Sequence, residues 1–116
     1  MAHDPNRLLP VLFHIHGGGY EVGAAGMFNH KTIADMYTDK DVIIVFIQYR
    51  LSFFGFFSSG RSDMPGNLGL FDQAEALKFV YRNIKAFGGD PARIIAWGVS
   101  AGGASSSQLS ISPYSR

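Results

Sequence analysis

The chain has 116 residues, of which 47% are hydrophobic and 16% charged, which fits one compact globular unit and argues against disorder. Its formal net charge is +1 and its charges are scattered along the sequence, so neither nucleic acid nor an anionic membrane surface is indicated as a partner. The absence of cysteine excludes disulfides and thiolate chemistry, and no apolar run approaches the ~20 residues of a transmembrane span.

The first half of the chain predicts two strands with a helix between them. Leu8 to Ile15 is an almost continuous apolar run that stops at Gly17 to Gly19, which is typical of a buried strand entering a loop. A weaker helical pattern covers Phe28 to Tyr37. Val42 to Tyr49 is rich in β-branched residues and does not alternate, which predicts a strand covered on both faces in a parallel sheet.

The middle of the chain combines an irregular segment with a long helix. Leu51 to Pro65 shows neither a helical nor a strand period, so we expect an extended surface excursion there. Apolar residues then recur at three- and four-residue intervals from Asn67, a candidate N-cap, to Ile84. Gly88 and Gly89 are predicted to end this helix, and Pro91 prevents its continuation.

Ile94 to Trp97 predicts a third short strand, and another helix is expected to begin near Ala101. Alternation of strands and helices predicts an α/β fold, with a mostly parallel sheet and helices on its faces. Three strands alone would leave two hydrophobic sheet edges unpaired. We therefore expect residues 1–116 to be part of one larger domain that is truncated at both ends.

The sequence Gly-Val-Ser-Ala-Gly at residues 98–102 matches the nucleophile-elbow pattern G-x-S-x-G between a predicted strand and a predicted helix. In such a turn the serine holds a strained backbone, and side chains at positions 98 and 102 would collide, so glycine there has a steric reason. Ser100 is therefore the candidate catalytic nucleophile. A Gly/Ser-rich turn without activity is the alternative, because the pattern is short.

The glycine run that follows the first strand, His16 to Tyr20, resembles the HGGG loop whose backbone N–H groups receive a developing oxyanion. With Ala101, which follows the candidate nucleophile, Gly18 and Gly19 would supply three donors, and the helix beginning at Ala101 adds a favourable dipole. The alternatives are a flexible glycine turn or a phosphate-binding loop, but both the Walker lysine and the G-x-G-x-x-G order are missing.

His14 and His16 lie two positions apart on one predicted strand and could share a face. A metal site is disfavoured because no third ligand cluster accompanies them, so we predict neither a metal nor a cofactor. A role as the base of a catalytic triad is disfavoured because in the hydrolase order the acid and the histidine follow the serine. Residues 101–116 contain no Asp, Glu or His, so this sequence does not complete a triad in that order.

Together these motifs resemble the type-B carboxylesterase and cholinesterase family of α/β-hydrolases. Members combine an HGGGF-like loop, a strand ending in N-Y-R-L, the run P-G-N-x-G-L-x-D-Q, the turn F-G-G-D-P and the elbow G-E-S-A-G-G. In this sequence the corresponding segments are His16 to Tyr20, Gln48 to Leu51, Pro65 to Gln73, Phe87 to Pro91 and Gly98 to Gly103. The similarity extends from about Leu9 to the end of the chain.

The resemblance implies hydrolysis of a small-molecule carboxylic ester through an acyl-enzyme. It makes Ser100 the nucleophile and Gly18, Gly19 and Ala101 the oxyanion hole, with the triad acid and histidine outside this sequence. The isolated 116-residue fragment is therefore expected to be inactive. Val99 replaces the family's usual glutamate, which disfavours a choline-ester specialist, whereas tyrosine for phenylalanine at the end of the glycine loop is a mild change.

Two other functional interpretations stay open at this point. A non-catalytic cholinesterase-like adhesion or binding module fits relatives that have lost the triad, although the intact Ser100 counts against it. The HGGG lipase group shares the loop and the elbow, but the runs at Pro65 to Gln73 and Phe87 to Pro91 fit it poorly. Family members commonly pass through the secretory pathway, yet Met1 to Asn6 lacks the features of a signal peptide, so localisation and oligomeric state stay unassigned.

Overall fold

Strands and helices alternate along the chain, as the sequence predicts. The computed structural model describes residues 7–37 and 40–115. Its strands are β1 (Leu9–Ile15), β2 (Ile43–Phe46) and β3 (Gly89–Gly98), and its helices are α1 (His30–Tyr37), α2 (Ser52–Phe56), α3 (Leu68–Asn83) and α4 (Ala101–Ile111). Short 3-10 helices lie at Ala25–Met27, Ile84–Phe87 and Pro113–Ser115. The predicted α/β class is confirmed.

The sheet is parallel, with the strand order β2-β1-β3. β1 is the central strand, and the side chains of Val11, Phe13 and Ile15 are fully buried on one of its faces. Both strand neighbours run in the same direction as β1, which requires crossover connections that carry the helices. The prediction of a buried strand that enters a glycine loop is confirmed.

β2 is shorter than the predicted strand from Val42 to Tyr49, since its regular pairing covers only Ile43–Phe46. Ile47 still donates its amide to the His14 carbonyl oxygen at 3.3 Å, and Ile47 and Tyr49 are buried. The ladder stops there because β1 itself ends at Ile15. The apolar run therefore predicted burial correctly but overestimated the length of the strand.

β3 is longer than the predicted strand from Ile94 to Trp97. It begins at Gly89, which pairs with Leu9, so Gly89 belongs to the strand and not to the end of the helix as predicted. The register then shifts before Ile94 pairs with Val11, so residues 90–93 bulge out of the ladder. Pro91 lies in this bulge, where its missing N–H removes no ladder hydrogen bond. The glycine that ends the preceding 3-10 helix is Gly88, with a φ of 81°.

The segment from Leu51 to Pro65 is not entirely irregular, because it contains the five-residue helix α2. A helix this short completes little more than one turn, so it leaves no recognisable period in the sequence. The remainder of the segment, residues 57–65, contains bends and a turn and is exposed, as predicted for a surface excursion.

The long predicted helix is present as α3, but Asn67 does not cap it with its side chain. Asn67 adopts a left-handed conformation with a φ of 59°, and its backbone carbonyl oxygen accepts hydrogen bonds from the amides of Leu70 and Phe71. The predicted start is therefore correct and the predicted capping interaction is wrong. No helix within residues 7–37 and 40–115 is both long and apolar enough to cross a membrane.

Candidate active site

The pairing of β1 with β3 brings the two predicted site motifs together. The last pair in the ladder joins Ile15 to Gly98. The glycine loop begins directly after Ile15 and the serine turn directly after Gly98, and the carboxyl ends of parallel strands meet at one sheet edge. We call residues 15–20 and 98–102 together the glycine corner.

Ser100 occupies a sharp turn between β3 and α4. Its backbone dihedrals, φ 58° and ψ −123°, lie in a region that costs a non-glycine residue about 1–3 kcal/mol. Although Ser100 precedes the first helical residue, its side chain makes no capping hydrogen bond to α4. The residue is solvent-exposed. The hydroxyl is thus held on a strained backbone and is available for reaction.

Glycine is required on both sides of this turn. A Cβ added at Gly98 would lie 2.3 Å from the Ile15 carbonyl oxygen and 2.6 Å from the carbonyl carbon of Gly102. A Cβ at Gly102 would lie 2.0 Å from the same Ile15 oxygen. The predicted steric reason for both glycines is present, and the end of β1 contributes as much to it as the turn itself.

The glycine loop packs directly against the elbow. A Cβ at Gly17 would lie 2.5 Å from the Val99 carbonyl oxygen and 3.3 Å from the Cβ of Ser100. Gly18 and Gly19 have φ angles of 117° and 64°, which glycine adopts without strain. A larger residue at position 17 would push the loop away from the nucleophile candidate.

The amides proposed as oxyanion donors make no competing hydrogen bonds. The Gly18 carbonyl oxygen accepts the amides of Glu21 and Val22, each at 3.1 Å, which closes the loop on itself. By contrast, within the described residues the amides of Gly18, Gly19 and Ala101 donate to no other protein group. Ala101 also begins an 11-residue helix, whose dipole favours negative charge at that end. These three amides are therefore not engaged by other groups of the described residues.

Two tyrosines that the sequence did not single out as functional anchor the corner. The Tyr49 hydroxyl donates to the His16 carbonyl oxygen at 2.8 Å. The Tyr20 hydroxyl donates to the Ala101 carbonyl oxygen at 3.1 Å. An aromatic residue directly after a glycine loop was the only available signal for Tyr20, and its hydroxyl makes contacts that phenylalanine could not make.

His14 and His16 are both buried, with relative exposures of 3% and 2%. The His16 ring stacks on Tyr49, with 4.5 Å between centroids, and its Nδ1 lies 2.8 Å from the Gly17 carbonyl oxygen. His14 lies among aromatic rings, and its burial, together with the nearby charge of His16, lowers the His14 pKa below its ordinary value. Among the described residues no group of three potential metal ligands exists.

No described cavity opens at Ser100. A cavity of about 820 Å³ lies between α3, β3 and α4, and its lining residues include Leu77, Tyr81, Ile94 and Leu109. A smaller one of about 210 Å³ lies between α3 and α4. The described residues therefore provide a nucleophile candidate and candidate oxyanion donors, and Ser100 lines neither of these two cavities.

Comparison with known proteins agrees with this geometry. The sequence model of the carboxylesterase family matches residues 1–116. The chain is 62% identical to gut esterase 1 of Caenorhabditis briggsae over 108 residues, which are 93% of this chain and 19% of that protein. It is 45% identical to venom carboxylesterase-6 of Apis mellifera over 115 residues, 99% of this chain and 20% of that protein.

A solved PNB esterase is 42% identical to the chain and superposes with a TM-score of 0.86, over 97% of this chain and 24% of the esterase. The predicted resemblance and the partial α/β-hydrolase fold are both confirmed. The chain thus spans about a fifth of the curated relatives named here. It belongs to the carboxylesterase family.

Proposed function

We propose that the chain supplies the nucleophile and the oxyanion hole of a serine carboxylesterase. Ser100 is the nucleophile, and the amides of Gly18, Gly19 and Ala101 are the oxyanion donors. The substrate is a small-molecule carboxylic ester. The observation that carries the proposal is the strained backbone of Ser100, held against Gly17 at the carboxyl ends of two neighbouring parallel strands.

The proposed reaction proceeds through an acyl-enzyme. Ser100 Oγ attacks the ester carbonyl carbon and loses its proton to a base, while the carbonyl oxygen becomes an oxyanion bound by the three amides. Collapse breaks the bond between the acyl carbon and the alcohol oxygen, and the alcohol leaves with the proton from the base. Water then adds to the acyl carbon, and the carboxylic acid departs from Ser100.

Each oxyanion donor has a known order of magnitude for its contribution to transition-state stabilisation. Removing one oxyanion donor costs an enzyme about 3 kcal/mol of transition-state stabilisation. Donors that are preorganised and free of internal hydrogen bonds need no rearrangement when the charge develops, which is why unused amides are more effective than amides already bonded. The free amides at Gly18 and Gly19 meet this requirement.

The proposal places this chain within a longer polypeptide that supplies the base. Residues 101–116 contain no acidic residue and no histidine, and the two buried histidines precede Ser100. His16 is stacked on Tyr49, so its ring is committed to supporting the loop. The triad acid, the histidine and the ester pocket then come from segments outside this sequence, and the 116-residue chain alone has no appreciable turnover.

Val99 bears on the substrate class. It is 67% exposed, adjacent to Ser100, and presents an apolar surface where the family usually has a carboxylate. A valine gives no electrostatic attraction to a quaternary ammonium group. We therefore expect neutral esters to be preferred over choline esters.

Labelling with a fluorophosphonate tests the proposal on the full-length protein that contains this chain. The probe should phosphonylate one residue, and peptide mass spectrometry should place the adduct on Ser100. Ser100→Ala should abolish both labelling and ester hydrolysis. Ser107→Ala is a matched control, because Ser107 is an exposed serine on α4, the helix that follows Ser100, and it should retain both.

An adduct on another residue would contradict the assignment of the nucleophile. No adduct on an otherwise folded protein would favour the non-catalytic binding module. Measuring choline and neutral esters side by side tests the substrate class, since equal or higher kcat/KM for the cationic ester would overturn the interpretation of Val99.

A further inference from the structure

Tyr20 is held in an unusual conformation at the end of the glycine loop. Its φ of 64° lies in the left-handed region, which is rare for a residue with a bulky side chain. Its carbonyl oxygen accepts the Ser52 amide at 2.7 Å, and its ring lies 5.0 Å from that of Phe56. Helix α2 therefore fixes both the backbone and the ring of Tyr20.

The hydroxyl of Tyr20 reaches across to the first turn of α4. It donates to the Ala101 carbonyl oxygen at 3.1 Å and accepts a hydrogen bond from the Ser105 hydroxyl at 3.3 Å. Ser105 is fully buried, so this second contact is shielded from water. Because the Tyr20 hydroxyl both donates and accepts a hydrogen bond, it has little freedom to rotate.

These contacts connect the two halves of the proposed oxyanion hole. Gly18 and Gly19 immediately precede Tyr20, whereas Ala101 carries the third amide and also the carbonyl that Tyr20 contacts. Resting on the proposed function, we propose that Tyr20 is a positioning residue whose hydroxyl fixes the distance between the glycine-loop amides and the Ala101 amide.

The rate of the proposed reaction should be sensitive to the distance between the two groups of oxyanion donors. Electrostatic stabilisation of an oxyanion requires donors at about 2.7–3.1 Å from the oxygen, and small misplacements lose much of it. The two groups of donors belong to separate elements, a loop after β1 and a helix after β3. The β1–β3 ladder and the contact at Gly17 already connect these two elements. The Tyr20 hydroxyl adds a side-chain hydrogen bond between the loop and α4.

Tyr20→Phe separates a positioning role from a purely structural one. The variant keeps the ring on Phe56 and loses only the hydroxyl. Assays use the full-length protein, with active sites counted by fluorophosphonate titration so that any misfolded fraction is removed from kcat. Tyr81→Phe is the matched control, because it also deletes one phenolic hydroxyl but from a side chain that is 60% exposed on α3.

The expected result for Tyr20→Phe is a kcat per titrated site about three- to tenfold lower, with KM changed by less than about twofold. A trifluoromethyl ketone, which forms a tetrahedral oxyanion on the serine, should bind more weakly by the same factor as the loss in kcat/KM. Tyr81→Phe should leave all three quantities unchanged.

Two results would overturn the inference and remain distinguishable from failure of the proposed function. If the wild-type protein is labelled at Ser100 but Tyr20→Phe keeps its kcat per site and its affinity for the ketone, the positioning role is wrong. A lower titratable fraction with unchanged kcat per site would likewise assign Tyr20 to folding alone. If the wild-type protein is not labelled at Ser100, the proposed function fails and the positioning role fails with it.

Discussion

The glycine corner and the phenylalanine segment, which we define as residues 52–64, are contrasting regions of one chain. In the corner, the backbones of β1, the elbow and α4 approach so closely that they leave no space for a methyl group at Gly102. In the phenylalanine segment, Phe53 is 63% and Phe54 77% exposed. The first region is shaped by contacts within this chain, while in the second the rings of Phe53 and Phe54 face outward. The conformation of Ser100 is therefore determined by contacts that this chain itself supplies.

The largest expected effect comes from filling the corner. Gly102→Ala places a methyl group 2.0 Å from the Ile15 carbonyl oxygen, a backbone atom that cannot move without breaking the β1–β3 pairing. We expect the free energy of unfolding to fall by about 3 kcal/mol, the upper end of the range for overpacking. Chemical denaturation of the full-length protein measures this loss.

Gly26→Ala is the matched control for that substitution. Gly26 lies in an exposed 3-10 helix, and a Cβ added there would meet nothing within 4 Å. Its stability should stay within about 0.5 kcal/mol of wild type. Equal losses for the two variants would contradict the tight packing around Gly102.

Relieving strain in the same corner should have the opposite effect on stability. Ser100→Gly removes a cost of about 1–3 kcal/mol for the strained backbone and loses about 0.5–1 kcal/mol to the greater freedom of glycine in the unfolded chain. The net expectation is a gain of about 1 kcal/mol with complete loss of ester hydrolysis. A thermal melt showing a lower midpoint than wild type would argue against strain at Ser100.

Acid should destabilise the core beneath the corner through His14. Its pKa is lowered in the folded chain, chiefly by burial, so the unfolded chain binds the proton first as the pH falls. The contribution of His14 to the free energy of unfolding does not change with pH above its ordinary pKa of 6.5. It decreases as the pH falls below that value.

His14→Phe should flatten the dependence of the unfolding midpoint on pH between about 6.5 and 5, since a phenylalanine has no proton to bind. The ring would remain among Phe28, Phe46 and Trp97. His30→Phe, at an exposed position on α1, should keep the wild-type pH dependence. An unchanged slope for His14→Phe would show that another group dominates acid sensitivity.

The smallest effect is expected in the phenylalanine segment. Phe54→Ser should change the free energy of unfolding by no more than about 0.5 kcal/mol, because the ring is 77% exposed. Chemical denaturation checks this. A loss above about 2 kcal/mol in the full-length protein would contradict the exposure of this region and show that the ring is buried there.

The same contrast explains how far sequence reasoning could go. Residues 98–102 predicted the turn at Ser100 because the glycine spacing is a local sequence pattern, although the Ile15 carbonyl oxygen at the end of β1 also requires these glycines. The hydroxyl contact of Tyr20 joins residues 81 positions apart, and no local pattern encodes such a contact. The presence of three strands followed from hydrophobic runs, whereas α2 was missed because five residues are too few to show the 3.6-residue repeat of a helix.

The ends of the strands and helices were harder to predict than their presence. The length of β2 depends on where its partner β1 ends, and β3 gained five residues before Ile94 because Gly89 found a partner in Leu9 across a bulge. Asn67 marked the start of α3 correctly, yet its left-handed backbone leaves the side chain out of the cap. These outcomes depend on tertiary pairing, which a hydrophobic pattern does not contain.

Trapping the acyl-enzyme would show whether Ser100 is the nucleophile. The full-length protein would be mixed with a chromogenic ester whose acyl group is released slowly, then quenched with acid and digested for peptide mass spectrometry. We expect a burst of one alcohol per chain and the acyl mass on the peptide that contains Ser100, and only there. Steady turnover without a burst or an acyl mass on Ser100, or an acyl group on a different side chain, would contradict the account.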